Sequence, residues 1–197
     1  MSLVVKVCGL RDKQHVTDAV NAGAGALGFV FARSPRQVTP AHAYSICADV
    51  PAHVKRVAVM LHPSNEEWLT VLKLFGPDVL QTDAEDFDGL AIPPNVERWP
   101  VYREGRTAPD TESTYVYEGP KSGHGETVDW SVAAKLAQRG NMVLAGGLRP
   151  DNVAIAVRTV RPYGVDASSG LESAPGQKDA QRISEFINAA KAAEKSL

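Results

Sequence analysis

The sequence predicts an α/β protein folded as a single, compact (β/α)8 TIM barrel over residues 1–197. Three observations predict it. Short apolar, β-rich runs recur eight times at a mean spacing of roughly 23 residues, which suits βα units joined by short loops. Several of the intervening segments carry helix caps and helical apolar periodicity. No Ser/Gly/Pro tract or charge block divides the chain, so one domain is expected. Alternating strands and helices imply a parallel sheet with helical cover, and eight units favour a closed barrel over an open doubly wound sheet. About 250 residues is typical of that barrel, so this one lies at the short end of the range.

The elements follow in order. Val4–Val7 is the first strand, with a helix over 12–22, and Ala26–Val30 is the second, with a helix over 40–48. Arg56–Met60 is the third. Ser64-Asn65-Glu66-Glu67 then reads as a capping box before Trp68, Leu69, Val71, Leu72 and Phe75 at helical spacing, and Gly76-Pro77 ends that helix. Asp78–Leu80 is a short fourth strand, and Val96–Tyr102 a fifth weakened by Pro100. The stretch 83–113 holds several prolines and no long helical pattern, so the fifth unit is expected to have a shortened or missing helix. Thr114–Tyr117, Met142–Ala145 and Tyr163–Asp166 complete the eight. Pro150-Asp151 opens a helix whose face is Val153, Val157 and Val160, and Ile183, Phe186, Ile187 and Ala190 mark the last one.

Composition narrows the functional classes. Twenty-one basic and 23 acidic residues leave a net charge of -2, which argues against nucleic-acid or membrane binding through bulk electrostatics. The longest nearly apolar run, 22–32, is too short to span a bilayer and rich in glycine. Lys6 breaks the apolar stretch near Met1, against a secretory leader, and two cysteines cannot staple a chain this size; a cytoplasmic protein is expected. The histidines (15, 42, 53, 62 and 124) nowhere stand at ligand-like spacing, so no metal site is expected, and His62 has no obvious partner. Gly23, Gly25 and Gly28 precede or lie within a strand rather than opening a helix, so no dinucleotide fingerprint is present.

In a (β/α)8 barrel the chemistry belongs at the C-terminal ends of the strands. Gly146-Gly147 and Ser168-Ser169-Gly170 follow the seventh and eighth strands. They read either as two tight turns or, being neighbours in the fold, as backbone amides and hydroxyls cradling a phosphate. Cys8 ends the first strand: it is either a small buried hydrophobe or, with Lys6 nearby, a thiolate base or nucleophile. Cys47 reads as packing. Asp129 either N-caps the helix beginning near Ser131 or serves as an acid/base, and Arg36 is either a solvated loop charge or a carboxylate clamp.

Taken together, the strand ends resemble phosphoribosylanthranilate isomerase of tryptophan biosynthesis. The resemblance rests on Lys6-Val7-Cys8-Gly9-Leu10, Gly28-Phe29-Val30-Phe31 with Ser34-Pro35-Arg36, and Ser122-Gly123-His124-Gly125 through Val128-Asp129-Trp130. It continues in Leu144-Ala145-Gly146-Gly147-Leu148 with Pro150 and Asn152-Val153, and in Val165-Asp166-Ala167-Ser168-Ser169-Gly170-Leu171-Glu172 with Pro175-Gly176 and Lys178-Asp179. These run in family order along essentially the whole chain. The resemblance implies a cofactor-free Amadori rearrangement of N-(5-phosphoribosyl)anthranilate to the 1-deoxyribulose 5-phosphate ketone. Asp129 would be the general acid and Cys8 the general base. Arg36 would hold the anthranilate carboxylate, and Gly146, Gly147, Asp166, Ser168, Ser169 and Gly170 would bind the rest of the substrate, phosphate included. Family analogy alone points to a monomer.

Two departures stand out. The usual Gln-Leu-His-Gly-like segment after the fourth strand is Gln81-Thr82-Asp83-Ala84 here, and the sixth strand reads Thr114-Tyr115-Val116-Tyr117 before Glu118 instead of ending on the usual acidic residue. The rival readings are the sister histidine-pathway isomerase or a bifunctional form, which would use a carboxylate at the Cys8 position and two phosphate sites. An epimerase-like barrel would need strand-end metal ligands, and a non-catalytic phospholigand-binding barrel would leave Cys8 and Asp129 unexplained.

Overall fold

Eight strands, β1 (Val4–Cys8), β2 (Ala26–Val30), β3 (Lys55–Val59), β4 (Val79–Asp83), β5 (Glu97–Arg103), β6 (Thr114–Glu118), β7 (Asn141–Leu144) and β8 (Gly164–Ala167), form one closed parallel barrel in sequence order. The computed structural model describes residues 2–106, 113–120 and 127–197. The barrel closes where β8 pairs with β1, Val4 opposite Gly164 and Lys6 opposite Asp166. Around it lie α1 (Lys13–Ala22), α2 (Pro40–Ile46), α3 (Asn65–Phe75), α4 (Trp130–Leu136), α5 (Val153–Val160) and α6 (Ala180–Glu194).

The side-chain alternation of a strand assigns each residue to the lumen or the helical jacket. Outward positions such as Leu27, Phe29, Leu80, Tyr115, Leu144 and Val165 pack with the helices in one large core. Inward positions Ala26, Val57, Val79, Trp99, Val101, Val116, Val143 and Ala145 form a separate inner core. Further along the strands the same inward register turns polar: Lys6, Gln81, Asp83, Arg103, Glu118 and Asp166 sit there, all but Glu118 buried. The lumen is thus apolar at the N-terminal end and ionic at the mouth, where chemistry belongs.

Local signals explain the jacket. The α3 capping box forms as expected: Glu67 N–H donates to Ser64 Oγ (3.2 Å) and Ser64 N–H to Glu67 Oε2 (2.8 Å), and Gly76 ends the helix with φ +63°. Asp12 caps α1 through His15 N–H at 2.8 Å. The expected strands all occur, most of them with ends shifted by one residue, and two bear on the site. β4 runs on to Asp83 rather than stopping at Leu80, carrying Gln81 and Asp83 into the lumen. β5 is a full seven-residue strand despite Pro100, because β6 pairs with it only from Val101 onward, past the missing N–H.

The abbreviation is also wider than expected. The crossover after β4 is a 3₁₀ turn over Ala84–Gly89 instead of an α-helix, so the fourth unit is shortened too. Between β5 and β6 no helix occurs among the described residues; 107–112 lie outside them. Trp68 Nε1 of α3 donates to Ala91 O (3.0 Å), tying the neighbouring helix to this thin side.

Candidate active site

β1 delivers Cys8 to the mouth as its last inward residue, buried at 7% exposure. Room for it comes from Gly28 on β2: a Cβ there would lie 2.8 Å from Cys8 Sγ and 3.1 Å from Lys6 Cε. Lys6, two residues back on the same face, is fully buried and donates to Asp166 Oδ2 at 2.7 Å. Burial pulls the Lys6 pKa down, but the Asp166 carboxylate outweighs it and holds the ammonium above its ordinary range. Burial pushes the Cys8 thiol up, against the pull of Lys6, while Asp166 adds to the rise. The thiol is thus held further towards its protonated form than a free cysteine.

Opposite Cys8 stand the two glycine/serine loops. Gly146 (φ +89°) and Gly147 (φ +60°) both take left-handed backbone, strained for any L side chain. Asn152 pins this turn, its Nδ2 donating to Gly147 O (2.9 Å) and its Oδ1 accepting from Arg149 N–H (2.8 Å). A Cβ on Gly170 would fall 2.1 Å from Leu148 O, so that glycine exists to let the β8 loop close on the β7 loop. One pocket is lined by Cys8, Arg36, Gly146, Gly147, Asp166, Ser168 and Ser169, so seven of the nine site residues expected from sequence come together. Gly170 acts from behind the lining. Asp166 Oδ1 and Gln81 Oε1, both on residues lining the pocket, are buried and accept no hydrogen bond among the described residues.

Two residues stand differently from what the resemblance implies. Asp129 does not line the pocket; it is exposed and N-caps α4, its Oδ1 accepting from Ser131 N–H (2.7 Å), Ser131 Oγ–H (2.6 Å) and Val132 N–H (3.3 Å). Those bonds, the Ser131 hydroxyl first, hold its carboxyl below the ordinary range. The adjoining Ser122-Gly123-His124-Gly125 motif lies outside the described residues. Arg36 reaches the pocket, but its fork is engaged: Nε and Nη2 donate to the two oxygens of Glu172 at 2.7 and 2.8 Å. It is thus neither a solvated loop charge nor a vacant clamp.

Several site features were missed from sequence. At the β4–β6 rim Arg103 bridges Asp83 (2.5 Å) and Glu118, filling the departures noted there with an ion network. Pro100 obscured the strand that positions it. His62 does have partners: its Nδ1 lies 2.9 Å from Asp86 Oδ1, its N–H donates to Asp86 Oδ2 (3.1 Å), and the first contact raises its pKa. Glu172 and Lys178, quoted above only as motif letters, prove buried and bonded to each other at 2.7 Å. Cys47 is buried, its thiol pushed by burial up to about 12. Among the described residues no group of three or more His, Cys, Asp or Glu is placed to hold a metal, and no helix is long and apolar enough to cross a membrane.

A parallel eight-stranded barrel with a thiol, a lysine–carboxylate pair and glycine/serine loops at its mouth is the architecture of a (β/α)8-barrel enzyme. Comparison with known proteins narrows this. The family model described as N-(5'phosphoribosyl)anthranilate (PRA) isomerase matches residues 5–189, and the chain belongs to that family. It is 36% identical to the N-(5'-phosphoribosyl)anthranilate isomerase of Listeria monocytogenes serotype 4a (strain HCC23), covering 98% of this chain and 100% of that one. With the Streptococcus pneumoniae (strain JJA) enzyme of the same name it shares 38%, covering 95% of each. Crystal structures agree: TrpF from Jonesia denitrificans superposes with a TM-score of 0.81 at 32% identity, covering 98% of both chains. A phosphoribosyl anthranilate isomerase in complex with reduced 1-(o-carboxyphenylamino)-1-deoxyribulose 5-phosphate superposes with a TM-score of 0.76 at 28% identity, covering 96% of this chain and 99% of that one.

Proposed function

We propose that this chain isomerises N-(5'-phosphoribosyl)anthranilate to 1-(2-carboxyphenylamino)-1-deoxyribulose 5-phosphate, an Amadori rearrangement of tryptophan biosynthesis run by its own side chains. Beyond family membership, the observation that carries the reading is the placement of Cys8 in one pocket with the loops of Gly147 and Ser168. The loop amides and hydroxyls take the phosphate, Arg36 takes the anthranilate carboxylate through the guanidinium hydrogens that Glu172 leaves free, and the reacting carbons lie between. Asp166, a pocket-lining residue whose Oδ1 has no hydrogen-bond partner among the described residues, accepts a sugar hydroxyl.

The chemistry then follows. Asp129 protonates the furanose ring oxygen; the C1'–O bond breaks and the nitrogen lone pair forms the Schiff base. Cys8 removes the proton from C2', and that electron pair flows toward the imine nitrogen to give an enolamine, which tautomerises to the ketone. All three capping bonds of Asp129 fall on Oδ1, so Oδ2 is the oxygen that carries the transferable proton. The ligand-free protonation states are the reverse of the working ones: Asp129 ionised, Cys8 protonated. The competent form is a minority species that substrate binding selects. Residues 1–197 act as one domain, a cytoplasmic monomer with no cofactor, metal, nucleic-acid or membrane partner.

The test is turnover of N-(5'-phosphoribosyl)anthranilate followed by its anthranilate fluorescence, with growth rescue of a tryptophan-requiring strain lacking this isomerase. Activity in both supports the reading; an inert, folded protein overturns it. A single sedimenting species of 21.1 kDa checks the monomer.

A further inference from the structure

Glu172 opens the short β-hairpin that follows the β8 loop, formed by β9 (Glu172–Ala174) and β10 (Gln177–Lys178). Its carboxylate is 7% exposed and carries two cations at once. Arg36, from the loop after β2, donates Nε to Oε1 (2.7 Å) and Nη2 to Oε2 (2.8 Å), and Lys178 Nζ donates to Oε1 at 2.7 Å. The chain of contacts continues: Lys178 Nζ also donates to Ser168 O (3.0 Å) and Ser168 Oγ (3.4 Å) in the β8 loop. One partly buried line of ion pairs and hydrogen bonds therefore joins the arginine to the neighbouring serine loop at the mouth. It packs closely on the backbone after Cys8, since a Cβ on Gly9 would lie 2.7 Å from Arg36 Cδ and 3.0 Å from Ser168 Oγ.

The energetics suit a positioning device better than a stabilising one. A buried ion pair gains little net stability over apolar packing because desolvation offsets the attraction, whereas removing one partner leaves a costly unpaired charge. Burial lowers the Lys178 pKa despite Glu172, while Glu172 is held low by its two donors against burial. Such a group is kept where geometry matters. Arg36 alone has many rotamers; a bidentate carboxylate fixes one fork plane and leaves its remaining hydrogens aimed at the pocket.

We propose that Glu172 and Lys178 are positioning residues, a buried Arg36–Glu172–Lys178 strut that sets the spacing between the cation receiving the substrate's carboxylate and the Ser168 loop receiving its phosphate. The inference rests on the substrate assignment above. It also assigns work to motif residues that the acid–base chemistry does not use.

The test compares Arg36→Ala, Glu172→Gln, Lys178→Met and the Arg36→Ala/Glu172→Gln pair, each by steady-state kinetics and by inorganic phosphate binding in a thermal shift titration. Glu172→Gln raises KM by about tenfold or more while kcat changes less than about threefold, because the altered carboxylate bonds Arg36 and Lys178 rather than the thiol. The double variant raises KM by less than the product of the two single effects, the non-additivity expected of a residue that acts in part through another. Lys178→Met and Glu172→Gln weaken phosphate binding by about fivefold or more, whereas Arg36→Ala leaves it unchanged. Glu172→Asp keeps the charge but retracts it by one methylene; it folds and shows the same KM rise in milder form, which separates positioning from folding. Additive KM effects, or a folded Glu172→Gln with unchanged KM and phosphate affinity, overturn the strut. A wild type that binds phosphate with this variant pattern but does not turn over would sink the isomerase reading alone; one that does neither sinks both.

Discussion

Cys8 and Asp129 set a problem at the scale of single residues. An acid and a base with reversed resting protonation give a bell-shaped profile in which activity rises as Cys8 loses its proton and falls as Asp129 loses its own. With the thiol raised and the carboxyl lowered, the limbs move apart: the acid-side limb reports Asp129 and the alkaline limb Cys8, and the plateau between them holds only a small active fraction. Relieving the cap of Asp129 by Ser131→Ala is expected to move the acid-side limb of kcat/KM upward, because the hydroxyl bond that most depresses that carboxyl is gone; an unmoved limb would remove Asp129 from the profile. Asp129→Asn should lower kcat by about 10²-fold or more while Tm stays close to wild type, the scale of a lost acid–base group. The sequence placed Cys8, Gly147, Ser168 and Asp166 at the mouth because strand-end position follows from strand periodicity alone. It did not place the Arg36 fork or the Arg103 bridge, because ion pairing across 136 or 20 residues of chain depends on which strands become neighbours.

Elements carry different information. Helix α3 was legible to its caps, since Ser64, Glu67 and Gly76 act locally, and its contribution lies far from the chemistry. Ser64→Ala should lower Tm by about 2–4 °C, the equivalent of ~1 kcal/mol of capping, with kcat and KM unchanged. The β4 and β5 boundaries were less legible, because Gln81, Asp83 and Arg103 are polar residues in strand interiors, and only a barrel mouth makes polar inward positions acceptable. The same holds for the missing α-helix of the fourth unit, where a six-residue 3₁₀ turn replaces a pattern that sequence periodicity cannot distinguish from loop. The β7 and β8 loops behave as one unit through Gly170. Gly170→Ala forces a Cβ against Leu148 O, so a loss of about 1–3 kcal/mol and a rise in KM are expected together; a change in stability with KM intact would separate the loop contact from the phosphate site.

For the whole molecule, the gradient inside the barrel is the feature that ties sequence to function. Inner Val57, Val79, Val116 and Val143 supply a dry base, and above them the same register supplies Lys6, Gln81, Arg103 and Asp166. That arrangement suits a near-neutral chain to the proposed substrate, with its two anionic groups, through amides, hydroxyls and a few oriented cations rather than a basic patch. Because every proposed step uses side chains, turnover should be unaffected by EDTA. The most direct measurement follows N-(5'-phosphoribosyl)anthranilate fluorescence with wild type and Cys8→Ala side by side in EDTA. Rapid loss of signal is expected with wild type and a kcat about 10²–10⁴-fold lower in a folded Cys8→Ala. A wild type without turnover would refute the isomerase assignment, and a Cys8→Ala that matches it would refute the role of Cys8 as base.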